Sequence, residues 1–302
     1  VAETRIESID QVSRLLAGAN YIAERSLATV VYLALALEKP LFVEGQPGVG
    51  KTEIGLALAE GLGRDLIRLQ CYEGLDAAAA LYEWNYPKQL LRIKLAELKG
   101  QDGRAAEPVI FSQEFLLERP LLRAIRAEKA PVLLIDEIDR ADEEFEAFLL
   151  EILSEFQITI PELGVLKARR RPLVVITSNR TREIHDALKR RCLYHWIDYP
   201  DYDKELAVLR ARLPQVEDGL AGQVVGFLQE LRRLDFYRRP GLSETLDWAQ
   251  ALLAMNAEVL SPELIEDTLG CLLKHHEDEI RFREEVLADA ERRRLILGGA
   301  VG

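Results

Sequence analysis

Gly45-Gln46-Pro47-Gly48-Val49-Gly50-Lys51-Thr52 places two glycine-bearing turns, a lysine and a hydroxyl at the spacing G-x-x-x-x-G-K-[ST]. This pattern suits a chain of phosphates. Glycines let backbone N–H groups close around phosphate oxygens, and the N-terminus of a following helix adds partial positive charge. Lys51 would reach the β- and γ-phosphates, and Thr52 would put its hydroxyl on Mg²⁺. The candidate ATP-binding residues run from Gly45 through Gln46, Pro47, Gly48, Val49, Gly50, Lys51 and Thr52 to Glu53.

Such a loop needs a partner that holds the metal and activates water. The apolar run Val132-Leu133-Leu134-Ile135 ends in Asp136-Glu137. Ligands of open α/β sheets collect at the carboxyl ends of strands. Asp136 would hold Mg²⁺, with Thr52 as the second metal-site residue, and Glu137 would orient and polarise the attacking water. A second apolar run, Leu173-Val174-Val175-Ile176, ends in Thr177-Ser178-Asn179, which puts the Asn179 amide in the same layer as a holder of that water. Arg190-Arg191 follows a short helical pattern just before the last strand pattern. Phosphoryl transfer gains greatly from an arginine on the γ-phosphate, often supplied by a neighbouring subunit. A surface basic pair is the other reading of these two arginines.

The elements around these residues must position them. Leu41-Phe42-Val43 reads as a strand into the loop, and the run from Glu53 to about residue 62 as the helix out of it. Two helices are expected over 8–38, a strand at Leu66–Leu69, helical stretches at Asp76–Trp84, Pro87–Lys99 and Pro120–Lys129, and an amphipathic helix from Glu143 to Phe156. Pro161-Glu162-Leu163-Gly164 between two β-forming runs predicts a hairpin, and Leu193–Ile197 a final strand. Gln101-Asp102-Gly103-Arg104 reads as a mobile polar break. Beyond Pro200 the pattern is helical only. An α/β fold is therefore expected, a parallel five-stranded sheet between helices, followed by a small all-helical domain.

The 302 residues are 48% hydrophobic and 30% charged, a globular composition with room for two domains. A formal net charge of -12 counts against nucleic acid or an anionic membrane as a general partner. No run of about 18 apolar residues predicts a membrane span. Cys71, Cys192 and Cys271 are distant from one another and lack zinc spacing, which fits reduced thiols and a cytoplasmic setting. His275-His276-Glu277-Asp278 carries metal-like letters, but adjacent helical residues point apart, so a solvated surface is expected there.

Together these segments resemble the AAA+ ATPases over about residues 10–300. GQPGVGKT corresponds to Walker A, VLLIDE to Walker B, the Asn179 of VVITSN to sensor 1, and LKRRCLYH to the arginine-finger segment. Within AAA+ the chain looks like the MoxR family. The wording QCYEGLDAAAALYEWNYPKQLL, FSQEFLLERPLL and IPELGVLKA is similar to the CoxD-type subgroup, accessory ATPases linked to molybdenum hydroxylases such as carbon monoxide dehydrogenase. The resemblance implies an ATPase core over 1–200, a helical lid over 201–302, and a ring of identical subunits, a hexamer, with nucleotide between subunits. Arg191 would then act in trans, with Arg190 as second choice. A helix-2 insert would fall at about 73–90 and a pre-sensor-1 hairpin at about 157–172. A client metalloenzyme and a von Willebrand A-type partner protein are implied partners. The sensor 2 arginine of many relatives falls here on Thr245, with Arg238 and Arg239 nearby.

Some features stay open at this level. Lys167, Arg169, Arg170 and Arg171 could meet an acidic client or nucleic acid, or guard a hairpin edge with charge. Tyr72, Tyr82, Trp84 and Tyr86 could grip a client or pack the insert. The function that the resemblance implies is an ATP-driven chaperone or remodeller that matures a client enzyme. The alternatives are a nucleic-acid motor and a low-turnover nucleotide switch.

Overall fold

The computed structural model describes residues 6–98, 111–161 and 163–287. The expected break at 101–104 lies outside these residues, as does Glu162 of the hairpin turn. Two compact units emerge. One takes Glu24–Glu44 and Thr52–Trp196 with the first helix up to Leu15; the other takes Leu16–Ala23, Gly45–Lys51 and the chain from Ile197 on.

In the first unit, α1 (Ile9–Gly18) and α2 (Arg25–Leu37) lead to β1 (Leu41–Gly45), and α3 (Lys51–Leu62) leads to β2 (Leu66–Gln70). After α4 (Ala77–Leu81), β3 (Tyr82–Trp84), α5 (Tyr86–Leu98) and β4 (Leu116–Glu118) come α6 (Pro120–Arg126) and β5 (Val132–Asp136). The amphipathic pattern after it becomes α7 (Glu143–Glu155), started by Asp142, whose side chain accepts from Phe145 N–H at 2.8 Å. The expected hairpin is β6 (Gln157–Ile160) with β7 (Gly164–Lys167), antiparallel with Thr159 opposite Val165. β8 (Leu173–Ser178), α8 (Asp186–Arg191) and β9 (Leu193–Ile197) complete the unit's elements.

The main sheet is five-stranded and parallel, in the order β2-β5-β8-β1-β9. Every residue of β1, β5 and β8 is buried, as expected for central strands covered on both faces. Register sets the chemistry. Gln70 lies beside Asp136, and Glu44 lies beside Ser178, so polar side chains gather at the carboxyl ends of neighbouring strands. Phe42, Leu133, Ile135, Phe145, Leu149, Val174 and Ile176 share one core against the flanking helices.

Two expectations are corrected. The helical stretch 76–84 is helical only over Ala77–Leu81, because Tyr82–Trp84 extends and pairs antiparallel with Leu116–Glu118. Aromatic residues suit a half-buried ribbon, and the Arg119–Glu83 ion pair at 2.5 Å lies across it. Of the four aromatics, Trp84 is buried and meets Tyr82 and Phe111 edge-on, whereas Tyr72 and Tyr86 are exposed. The helix expected over 120–129 ends at Arg126.

The second unit is helical beyond β9 among the described residues: α9 (Tyr202–Arg212), α10 (Asp218–Leu231), α11 (Leu242–Ala254), α12 (Pro262–Thr268) and α13 (His276–Phe282). Its own core joins Leu209, Val224, Phe227, Trp248, Leu252 and Phe282. The solvated surface expected over His275-His276-Glu277-Asp278 holds for His276 and Glu277, which are exposed, but not for Asp278. Asp278 is buried and accepts N–H bonds from Tyr237 at 2.8 Å and Arg238 at 3.2 Å, a structural role for its carboxylate.

Candidate active site

The loop motif forms as its glycines require. Gly48 and Gly50 have φ of +74° and +89°, values that L side chains rarely adopt. A Cβ on Gly48 would also lie 2.5 Å from the Ser243 hydroxyl, and the Gly48 carbonyl accepts from Ser243 N–H at 3.1 Å. Lys51 is buried, and its ammonium donates to the Gly45 and Gln46 carbonyls at 2.9 and 2.6 Å. The lysine thus lies along its own loop.

Thr52, at the first turn of α3, donates its hydroxyl to Asp136 Oδ1 at 2.9 Å. The same oxygen accepts from the Thr177 hydroxyl at 2.6 Å. Arg68, on β2, donates to Asp136 Oδ2 from Nε at 3.1 Å and Nη2 at 2.5 Å. A buried carboxylate is costly without such hydrogen-bond partners. Thr52 and Asp136 bring hard oxygen donors together, the chemistry that suits Mg²⁺. They fit the metal that the sequence implies.

Glu137 sits at φ +56°, a left-handed position for a non-glycine residue, with its N–H bonded to Thr177 Oγ1 at 2.9 Å. Its carboxylate collects three donors: Asn179 Nδ2 at 3.3 Å, Gln70 Nε2 at 3.0 Å and Arg140 Nε at 2.9 Å. Asn179 and Glu137 therefore meet, as the strand ends suggested. Asp139 fixes that corner. It accepts from Asn179 N–H at 3.1 Å, Thr181 N–H at 3.0 Å and the Thr181 hydroxyl at 2.6 Å. Burial alone raises the Asp139 carboxyl, but the Thr181 and Asn179 hydrogen bonds outweigh it and hold its pKa below the ordinary value.

The two arginines differ. Arg191 is exposed and donates to the Ser154 hydroxyl of α7. Arg190 is exposed and has no side-chain partner among the described residues. Directly before the two arginines on the same helix, Lys189 pairs with the buried Glu44 at 3.6 Å. Glu44 also accepts from Tyr194 OH at 2.9 Å and from Ser178 Oγ at 3.4 Å. Burial, then the Glu44 bond and charge, push Tyr194 up to about 12. A similar effect holds at Cys71, pushed up to about 12 by burial and then by Asp136, Asp139 and Glu137.

The candidate sensor 2 position, Thr245, is buried and bonded to Glu205 Oε1 at 2.5 Å. Arg232 completes this cluster with two bonds of 2.6 Å to Glu205 and one of 2.7 Å from Nε to the Pro240 carbonyl. The side chains of Arg238 and Arg239 are exposed. Arg68, Gln70, Thr177 and Asp139 escaped sequence reasoning. A weak signal existed, since Arg68 and Gln70 alternate with buried Ile67 and Leu69 on a strand that ends beside the Asp136 strand.

A parallel sheet with a glycine loop into a helix and a carboxylate pair at a neighbouring strand end defines a P-loop nucleotide-binding fold of AAA type, with a helical C-terminal part. The profile of the AAA domain, dynein-related subfamily, matches residues 40–192, half of the chain. The chain belongs to that family, whose members are in general ATPases. An uncharacterized protein of Staphylococcus haemolyticus is 25% identical over 226 residues, covering 73% of this chain and 78% of its own. The Lon protease of Halothermothrix orenii is 28% identical over 250 residues, covering 75% of this chain, which spans only 28% of that protease. The Thermotoga maritima RuvB Holliday junction branch migration motor aligns with a TM-score of 0.45 at 16% identity, over 89% of this chain and 70% of that one. Among the described residues no group of three metal-ligating His, Cys, Asp or Glu side chains occurs, and no helix is long and apolar enough to cross a membrane.

Proposed function

We propose that the chain is an ATP-hydrolysing remodeller of the MoxR type, CoxD-like, which assists maturation of a client metalloenzyme such as a molybdenum hydroxylase. The observation that carries the ATPase reading is the paired contact at the strand ends: Thr52 on Asp136 at 2.9 Å and Asn179 on Glu137 at 3.3 Å. The loop residues Gly45–Glu53 would bind the phosphates of ATP. Thr52 and Asp136 would hold Mg²⁺, which when bound neutralises phosphate charge during transfer. Glu137 would take a proton from the attacking water, and the Asn179 amide, already on Glu137 Oε1, would set the direction of that carboxylate. Residues 1–200 would act as the core and 201–302 as the lid, in a hexameric ring where Arg191, or failing it Arg190, reaches a neighbour's γ-phosphate. The remodelling part of the reading rests on the wording around Cys71–Leu91 and on the net charge of -12, which disfavours a nucleic-acid track.

The test is capture by the Glu137→Gln protein from native extract, with ATP against ADP, read by mass spectrometry. ATP-dependent recovery of a metalloenzyme subunit or a von Willebrand A-type protein is expected. ATP-dependent recovery of nucleic acid, lost on nuclease treatment, would replace this reading with a motor.

A further inference from the structure

The basic hairpin end is not spent on the proposed chemistry. Arg170 and Arg171 line a cleft of about 120 Å³ together with Lys39, Arg64 and Glu38. These residues precede strands: Lys39 comes just before β1, Arg64 just before β2, and Arg171 just before β8. Because β2, β5, β8 and β1 run parallel, the cleft lies at their amino ends, and Asp136 and Asn179 lie at the carboxyl ends. A strand of five residues separates the two ends by roughly 15 Å.

Four cations and one carboxylate line this cleft in a chain of net charge -12. The one carboxylate neutralises little. Glu38 meets Arg171 at 3.6 Å, beyond good hydrogen-bond range, and both side chains are at least half exposed. Arg171 is further held with its guanidinium carbon 5.5 Å from the centre of the Phe156 ring, a cation–π position that leaves its N–H fork available. The side chains of Lys39 and Arg64 make no hydrogen bond or ion pair among the described residues. The floor is buried and apolar, formed by Ala34, Ala130 and Leu173, so charge converges over a low-dielectric surface.

We infer that this cleft binds a compact phosphate dianion, as the free ion or as the end of a small phosphate monoester, at a site separate from the Gly45–Thr52 loop. Lys39, Arg64 and Arg171 against Glu38 leave two excess positive charges, which match a dianion better than a single carboxylate. Arginine forks pair with phosphate oxygens two at a time, and Lys39 adds a point charge. The cleft is small, about 120 Å³. A phosphodiester backbone needs a positive groove that tracks several nucleotides, which a cleft of this size does not offer.

The test titrates the Lys51→Ala protein calorimetrically with inorganic phosphate, with glycerol 2-phosphate, and with a single-stranded oligonucleotide, at fixed chloride. One saturable site for phosphate or the monoester is expected. Lys39→Gln with Arg64→Gln should weaken it at least about tenfold at an unchanged melting temperature, whereas Lys167→Gln with Arg169→Gln, on the hairpin outside the cleft, should leave it intact. Preference for the monoester would identify a ligand carried on an organic group, and equal affinity a free ion. Lack of saturation, equal loss in both pairs of variants, or a stronger response to the oligonucleotide would overturn the inference. None of these readouts depends on ATP turnover, so the cleft and the proposed ATPase stand or fall separately.

Discussion

Arg68 donates two hydrogen bonds to one oxygen of Asp136, from Nε at 3.1 Å and from Nη2 at 2.5 Å. The other oxygen already serves the Thr52 and Thr177 hydroxyls. A water in a metal's coordination shell would need a lone pair that the guanidinium now occupies, so Arg68 and Mg²⁺ compete for the same carboxylate. Arg68→Ala is therefore expected to tighten metal binding in the presence of ATP by about three- to tenfold, on the order of 1 kcal/mol. Mn²⁺ titration followed by electron paramagnetic resonance measures this directly. Equal or weaker affinity in the variant would show that Arg68 supports the carboxylate without competing for it.

Glu137→Gln keeps the size and the contact with Asn179 but loses the base. ATP binding should remain within about threefold, while turnover falls by about a hundredfold or more, the range over which a positioned base acts. Equilibrium binding of a fluorescent ATP analogue and phosphate release give the two numbers. Near-normal turnover would remove Glu137 from the chemistry.

The sheet and the loop were legible because their signals are local. The runs 132–135 and 173–176 are apolar without interruption, which only a strand covered on both faces explains, and the loop motif sits between its strand and its helix. The strand ends also indicated that Asp136, Glu137 and Asn179 share a layer. What escaped depends on register between distant segments. Gln70 reaches Glu137 because β2 and β5 pair with Gln70 beside Asp136, and nothing in either segment alone states that alignment. Tyr82–Trp84 is too short to show a period of two, so the helical letters before it dominated. The Glu205–Arg232–Thr245 cluster joins three helices that no spacing rule connects.

Arg191 bonds Ser154 of its own chain, so service to a neighbouring subunit requires that bond to open. Arg191→Ala should lower ATP turnover by about a thousandfold if it is the finger. Mixed with Lys51→Ala subunits it should recover part of the activity, since one of the two orientations of a mixed interface then pairs an intact loop with an intact arginine. Lack of recovery in any mixture, with full recovery for Arg190→Ala mixtures, would transfer the role to Arg190, whose side chain is unengaged among the described residues.

The depressed pKa of Asp139 makes a pH-dependent prediction. A carboxyl whose folded value lies below its unfolded value, about 3.9, stabilises the fold above that pH and loses the contribution as pH falls through the folded value. Asp139→Asn should cost about 1–3 kcal/mol at pH 7, and the gap to the unsubstituted protein should narrow below about pH 4. Urea unfolding at pH 7 and pH 3.5 measures both. A gap independent of pH would mean that the Asn179 and Thr181 bonds act without the charge.

Arg232 and Glu205 form a buried ion pair, the arginine side chain 7% and the glutamate 0% exposed. Arg232 also donates to the Pro240 carbonyl and, at 3.2 Å, to the Thr245 hydroxyl. The pair thus holds the turn at Pro240–Gly241, directly before Ser243, whose N–H reaches the Gly48 carbonyl of the loop. Removing one partner strands a charge in the core, so Arg232→Met should destabilise the protein by about 3–5 kcal/mol. Adding Glu205→Leu to it should restore part of that loss, because the stranded carboxylate is gone while apolar bulk remains. Denaturant unfolding of both variants gives the energies, and ATP affinity of the double variant reads the loop. A cost below about 1 kcal/mol for Arg232→Met would place the pair outside the stabilising core. A stable double variant with unchanged ATP affinity would show that the turn holds its position through backbone contacts alone.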